Sequence, residues 1–311
     1  MPFDFSAVST PFRMQPGLRK LAPGAQQLTP NDLGDRALIE KLLVLQHSAS
    51  SALLCAPGFD ARAALRALMN HAAIEHPNDF GFDGAGAFAA RRLGWALHGD
   101  ELTGEGPPEI GICLRALPAQ QRLAALLALA FAEDFAVVDA GTGCIEWLAV
   151  CLPSRWAPEE KVGKHFTEVH APVADNQLLL AASAQLMRLV TSADRRERFV
   201  GTITATGLLD QHPGRHARAP WTAGDDAAAL AAASFFRTER QTFIPLPERQ
   251  QAVFTIQVET TPLAQVVRSA AAARQLHDAV ASMSPAVLAY RSLADVREPL
   301  LRWLAERAAT A

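Results

Sequence analysis

Apolar positions fall into two regimes along the chain, with the change near residue 135. Before it, they recur at helical spacing. Leu33, Leu38, Leu42, Leu43 and Leu45 follow a Pro30-Asn31-Asp32 start and predict a helix over 32–46. The segments 61–76 and 117–135 carry apolar residues at i, i+3, i+4 and i+7 and predict two more amphipathic helices. Residues 1–34, rich in proline and glycine, predict an extended arm lying over another surface. From Phe135 onward the runs AVVDA and CIEWLAVCLP flank Gly141-Thr142-Gly143 and predict two strands around a turn. Short helical turns over 156–170 and a longer helix over 176–190 follow. RFVGTITATG, RTERQTFIPLP and AVFTIQVETTPL then have strand character, and two helices are expected over 263–309. The stretches 212–226 and 226–233 are expected to form an insertion or long loop.

This order of helices, two strands, helices, three strands and helices predicts an α+β fold, an antiparallel sheet of about five strands with a helical excursion across one face. N-terminal and C-terminal helices pack around it. We expect residues 1–134 to form an arm and helical region packed on a core of residues 135–311, the whole being one compact unit. A five-strand sheet interrupted in this way has the pattern of a PAS-like fold.

Composition narrows the function. Half of the 311 residues are apolar, enough for a sizeable core. The net charge of −3 arises from 29 basic and 32 acidic residues that are interspersed, which speaks against a nucleic acid or anionic membrane partner. Cys55, Cys113, Cys144 and Cys151 lie far apart, without C-x-x-C pairing, as expected of reduced thiols in the cytoplasm. The start has no basic segment followed by an apolar one, and the longest apolar run, 123–132, is too short to cross a bilayer. A cytoplasmic location is the expectation. G-x-S-x-G, P-loop, G-x-G-x-x-G and H-E-x-x-H motifs do not occur, so flavin or nicotinamide chemistry within this chain has no support.

The richest stretch for chemistry is WLAVCLPSRWAPEEKVGKHFTEVHAPVADN at 147–176. An apolar run breaks at Pro153, and a charged helical segment ends in His170-Ala-Pro-Val. An imidazole held there suits an axial haem ligand; the structural alternative is a helix-end histidine bonded to a carbonyl. Arg155 and Lys161 are candidates for pairing with haem propionates, against a solvated helix face. In the cluster 237–242, period-two alternation puts Arg240 and Thr242 on one face of a strand and Glu239 and Gln241 on the other. The structural alternative is a cross-strand ion-pair ladder. Met14 is a sixth-ligand candidate by chemistry, against simple packing.

Together with PFRMQPGLRKL at 11–21, AEDFAVV at 132–138 and FRTERQTFIPLP at 236–247, this stretch resembles the alpha subunit of the haem-dependent oxidative N-demethylases and their relatives. The resemblance implies haem b between a PAS-like sheet and the helices of the excursion, with His170 as the metal ligand. It implies propionate partners among Arg13, Arg19, Arg155, Lys161, Arg237 and Arg240. It also implies that Thr242, Gln241 and Glu239 are distal groups acting on O2 and a small methylated amine. Electrons would come from partner subunits carrying flavin, an iron–sulfur cluster and folate. Two alternatives stay open: a haem-binding gas sensor or carrier of the same fold, and a haem-free relative that binds another ligand. Where the resembling family has a tryptophan-rich W-x-x-N-W strand, this chain has RFVGTITATGLLDQHPG at 198–214. Thr202, Thr204 and Thr206 are expected to line a more open pocket there, one that favours bulkier methylated amines over dimethylamine.

Overall fold

Two antiparallel sheets organise the chain, whose computed structural model describes residues 8–221 and 224–309. The start of the expected arm and Thr222 and Ala223 of the expected loop lie outside those residues. After the short edge strand β1 (Arg19–Lys20), α1 (Arg36–Ser48) buries Leu38, Lys41, Val44 and Leu45 along one stripe. The strand β2 (Leu53–Cys55) leads to α2 (Arg62–Glu75), which buries Ala64, Leu68, Met69 and Ala72. Next come β3 (Phe80–Phe82), β4 (Phe88–Ala90), β5 (Trp95–His98) and β6 (Glu101–Gly104), paired in that order as a small second sheet. This corrects the expectation that 1–134 holds only an arm and helices. Strands of three or four residues are too short to display period-two alternation. They are also bent by glycines such as Gly94, whose φ of 68° and close approach to Gly106 leave no room for a Cβ.

The helices α3 (Pro108–Ala116) and α4 (Ala119–Ala130) each start directly after a proline. The expected continuation of α4 to residue 135 does not form, because Phe131 already pairs with Pro30 of the arm and β7 (Glu133–Asp139) begins. The rest of the chain runs β8 (Ile145–Ala149), α5 (Phe166–His170), α6 (Gln177–Ala181), α7 (Ser183–Val190), β9 (Arg196–Thr204), α8 (Ala227–Ala233), β10 (Phe235–Leu246) and β11 (Gln251–Pro262). It ends in α9 (Leu263–Val266), α10 (Ala270–Ala281), α11 (Pro285–Arg291) and α12 (Arg297–Ala309). The alanine-rich stretch is thus a helix, capped by the Asp226 side chain, which accepts from the backbones of Ala228 and Ala229 at 3.0 Å. The expected helix over 176–190 is two short ones, and the two expected after 263 are four.

The main sheet has seven strands in the order β1-β9-β10-β11-β7-β8-β2, so the N-terminal region supplies both edges of what the sequence presents as five strands. Phe135 and Val137 of β7 and Val253 of β11 pack with α1–α4 on one side. Val138, Phe243 and Ala252 face the other way, against Met187 and Val190 of α7. Ile203 and Phe236, which pair in register, join the cluster of α8 and α10–α12. Among the described residues, no helix is long and apolar enough to cross a membrane.

Glu133, fully buried where the arm meets β7, accepts the Thr29 N–H at 2.9 Å through Oε2, while Oε1 has no partner. Burial lifts its pKa from 4.5 to about 7. The folded state therefore holds a proton that the unfolded chain releases, and stability falls as pH rises between those values, by about 3 kcal/mol in all. Urea midpoints measured from pH 4.5 to 7.5 should show this slope in the wild type and lose it in Glu133→Gln. An equal slope in the variant would show that Glu133 is not the group responsible.

Candidate functional site

A cavity of about 1070 Å³ lies between the exposed middle of the main sheet and the elements that cross it. Its floor is set by strand alternation. Arg198, Val200, Thr202 and Thr204 of β9 and Arg237, Glu239, Gln241 and Phe243 of β10 all line it. The register places Arg198 opposite Gln241, Val200 opposite Glu239 and Thr202 opposite Arg237. Phe166, Val169 and His170 of α5, Leu179 of α6 and Met187 of α7 line it, as do Arg218, Trp221, Tyr290 and Arg291. Met14, Pro16 and Leu18 of the arm close over it.

His170 sits at the end of α5, a five-residue helix held by a capping box in which His165 and Glu168 bond each other's backbone. Its Nδ1–H donates to the Phe166 carbonyl at 2.8 Å, which fixes the tautomer and leaves Nε2 as the acceptor. The Phe166 ring lies 4.0 Å away, centroid to centroid. Burial pushes the imidazole pKa down to about 4, with Arg198 and Lys161 adding repulsion. The ring is thus neutral at physiological pH, and Nε2 has no hydrogen bond among the described residues. No group of three or more His, Cys, Asp or Glu side chains is arranged for a metal ion among the described residues. An ion held through His170 would take its other donors from a non-protein group, as haem iron does from porphyrin.

Positive charge dominates the lining. Arg155 is presented by a left-handed backbone, φ 62°, and burial and the neighbouring Arg218 both lower its pKa. Neither Arg155 nor Arg218 has a hydrogen bond or ion pair among the described residues. Arg198 likewise has none; burial lowers its pKa while Glu239 opposes the shift. Lys161 donates to the Val169 carbonyl at 3.0 Å. Arg237 is occupied: it donates to Ser154 Oγ at 2.7 Å and to the carbonyls of Leu152, Leu208 and Leu209. Ser154 in turn donates a very short bond to Glu239, which also accepts from Gln241 Nε2 at 2.6 Å.

Of the residues named from sequence, the cavity gathers His170, Arg155, Lys161, Arg237, Glu239 and Gln241, and Met14 besides. Four lie elsewhere. Arg19 and Arg240 both pair with Glu197, at 3.0 and 3.1 Å, and Thr242 is buried between Gln27 Nε2 at 3.0 Å and Thr255 at 2.7 Å. The reason is alternation: Arg240 and Thr242 occupy the face turned away from the cavity. Arg13 is exposed, with its backbone N–H on Ser9 Oγ at 3.3 Å. Thr206 accepts the Leu208 N–H in a turn beyond β9, so only Thr202 and Thr204 of the three threonines line the cavity. His212 and His216 are engaged by Glu159 at 3.0 Å and Asp210 at 3.1 Å. Sequence reading passed over Arg198, Ser154, Arg218 and Tyr290. Arg198 was reachable, since it begins the alternation that continues through Thr202 and Thr204. Ser154, Arg218 and Tyr290 come from loops and a short helix with no periodic signal.

A family model described as haem-dependent oxidative N-demethylase, alpha subunit-like, matches residues 37–301. No curated protein matches the chain.

Proposed function

Because the chain belongs to the family of haem-dependent oxidative N-demethylase alpha-subunit-like proteins, we propose that it binds haem b in the sheet cavity and uses it to demethylate an N-methylated amine. The observation that carries this is His170: a neutral imidazole, oriented by its bond to Phe166, with Nε2 unbonded at the edge of a large, mostly apolar cavity. Metal-ligating histidines are held in this way. The cavity also meets the other needs of the group, since Arg155 and Arg218 are neighbouring cations without partners, suited to two propionates. Lys161 adds a third positive charge nearby. Taken as strands one to five, β7 to β11 stand in the order 2-1-5-4-3 read from the β8 side, which supports a PAS-like assignment of the core.

Haem, when bound and reduced, supplies the activation of O2. The chain's own residues do the rest. His170, through its unbonded Nε2, would hold the iron. Glu239, fixed by Ser154 and Gln241, accepts the amine's N–H and orients its methyl group. The apolar walls of Phe166, Met187 and Phe243 exclude water. In the overall reaction one N-methyl carbon is oxidised to formaldehyde and its bond to nitrogen breaks. One oxygen atom of O2 leaves in formaldehyde and the other as water, with two electrons and two protons taken up. The electrons are delivered by separate reductase subunits carrying flavin and an iron–sulfur cluster.

Protein expressed with ample haem precursor should show a Soret band and release formaldehyde from methylated amines when coupled to a reductase. A reconstituted sample with no porphyrin by mass spectrometry would overturn the haem reading. Haem without turnover of any methylated amine would make the protein a haem-based sensor or carrier instead.

A further inference from the structure

We propose that the amine substrate is a zwitterion, an N-methylated amino acid whose carboxylate binds Arg198 and whose ammonium binds Glu239. This rests on the demethylase reading of the same cavity.

Arg198 on β9 and Glu239 on β10 are diagonal neighbours on the cavity face, since Arg198 is opposite Gln241 and Glu239 is opposite Val200. Such positions are separated by about 7–8 Å along a sheet. The two opposite charges influence one another, yet no hydrogen bond or ion pair joins them. Arg198 has no other partner among the described residues. A half-buried guanidinium left without an acceptor is costly, and a planar carboxylate answers its donor geometry in bidentate fashion. An α-amino acid carries a carboxylate and an ammonium on one carbon, which suits a gap between an arginine and a glutamate too far apart to touch.

The charge of the whole cavity points the same way. Arg155, Lys161, Arg198, Arg218, Arg237 and Arg291 line it, against the carboxylates of Glu239 and Asp295. Two haem propionates still leave an excess of positive charge. A simple dialkylamine is itself a cation at neutral pH and gains nothing from that field. A substrate that brings its own carboxylate does.

Calorimetric titration of the purified protein with N-methylglycine and with dimethylamine tests the idea, alongside Arg198→Gln, Arg198→Lys and Glu239→Gln. The wild type should bind N-methylglycine at least 10-fold more tightly than dimethylamine, and Arg198→Gln should lose at least 10-fold of that affinity, as expected for a charge-assisted pair. Haem content and Soret position should stay as in the wild type, and Arg198→Lys should recover part of the binding. Glu239→Gln should weaken N-methylglycine without weakening acetate, whose binding no longer meets the repulsion of a nearby carboxylate. Equal or tighter binding of dimethylamine, or an Arg198→Gln variant that binds N-methylglycine normally, overturns the proposal. So does loss of haem in Arg198→Gln with an unchanged melting temperature, which would assign Arg198 to a propionate. If the protein binds no haem at all, the demethylase reading fails. The same titrations on haem-free protein still decide whether Arg198 and Glu239 hold a zwitterion.

Discussion

Replacing His170 with alanine should abolish iron ligation and displace the Soret band while leaving the fold in place. The side chain closes off a five-residue helix whose integrity comes from elsewhere: the His165–Glu168 capping box and Asn176 Nδ2, which donates to the carbonyls of His170 and Ala171 at 3.0 Å. What the ring contributes to packing is its contact with Phe166 and its own hydrogen bond, together about 1–2 kcal/mol. A coordinate bond to iron has no substitute at this position. The truncation also opens a space of imidazole shape, so added imidazole should restore the wild-type Soret position. Circular dichroism should be superimposable on that of the wild type. If the alanine variant keeps the wild-type spectrum without added imidazole, the iron is held by another residue. Met14, Met187 and Cys144, the sulfur donors that line the same cavity, would then be the first to substitute.

The largest effect on stability is expected at Lys41. Its ammonium is 0 % exposed and meets Asp134 Oδ1 at 3.1 Å and the carbonyls of Phe131 and Glu133 at 3.1 and 2.5 Å, so all three of its N–H donors are used. Asp134 in turn accepts the backbone N–H groups of Cys151 and Leu152, at 3.1 and 2.7 Å. One ion pair thus ties α1 to the start of β7 and to the segment after β8. Lys41→Met fills the space but strands the Asp134 carboxylate in an apolar interior, a loss of about 3–5 kcal/mol. Adding Asp134→Asn should recover part of that loss, because the uncompensated charge disappears while one oxygen remains to accept one of the two backbone N–H groups. Urea unfolding of the single and double variants measures both. A Lys41→Met protein within about 1 kcal/mol of the wild type would show that water or a protonated Asp134 relieves the charge.

Much of the core could be read before any tertiary structure was known. The turn at Gly141-Thr142-Gly143, the strands on either side and the three later strands follow from β-branched and aromatic residues flanked by glycines, a local property of the chain. The alternation in Arg237–Thr242 separated Glu239 and Gln241 from Arg240 and Thr242 because successive side chains on a strand must point to opposite faces. A helix-end place before proline, together with the resemblance, singled out His170, and the chemistry of their cations singled out Arg155 and Lys161. Which of the two strand faces meets the cavity was not a local property. It was decided by where α5–α7 and α11 cross the sheet, and that crossing left Arg240 with Glu197 and Thr242 with Gln27. Only folding brought Arg198 diagonal to Glu239, and Arg218 and Tyr290 to the same cavity as His170, since residues so far apart in sequence meet through strand register and helix packing alone. The second sheet and both edges of the main one were hidden for a related reason. Strands of two to four residues are held by their neighbours' hydrogen bonds, and their own sequences are too short to specify them.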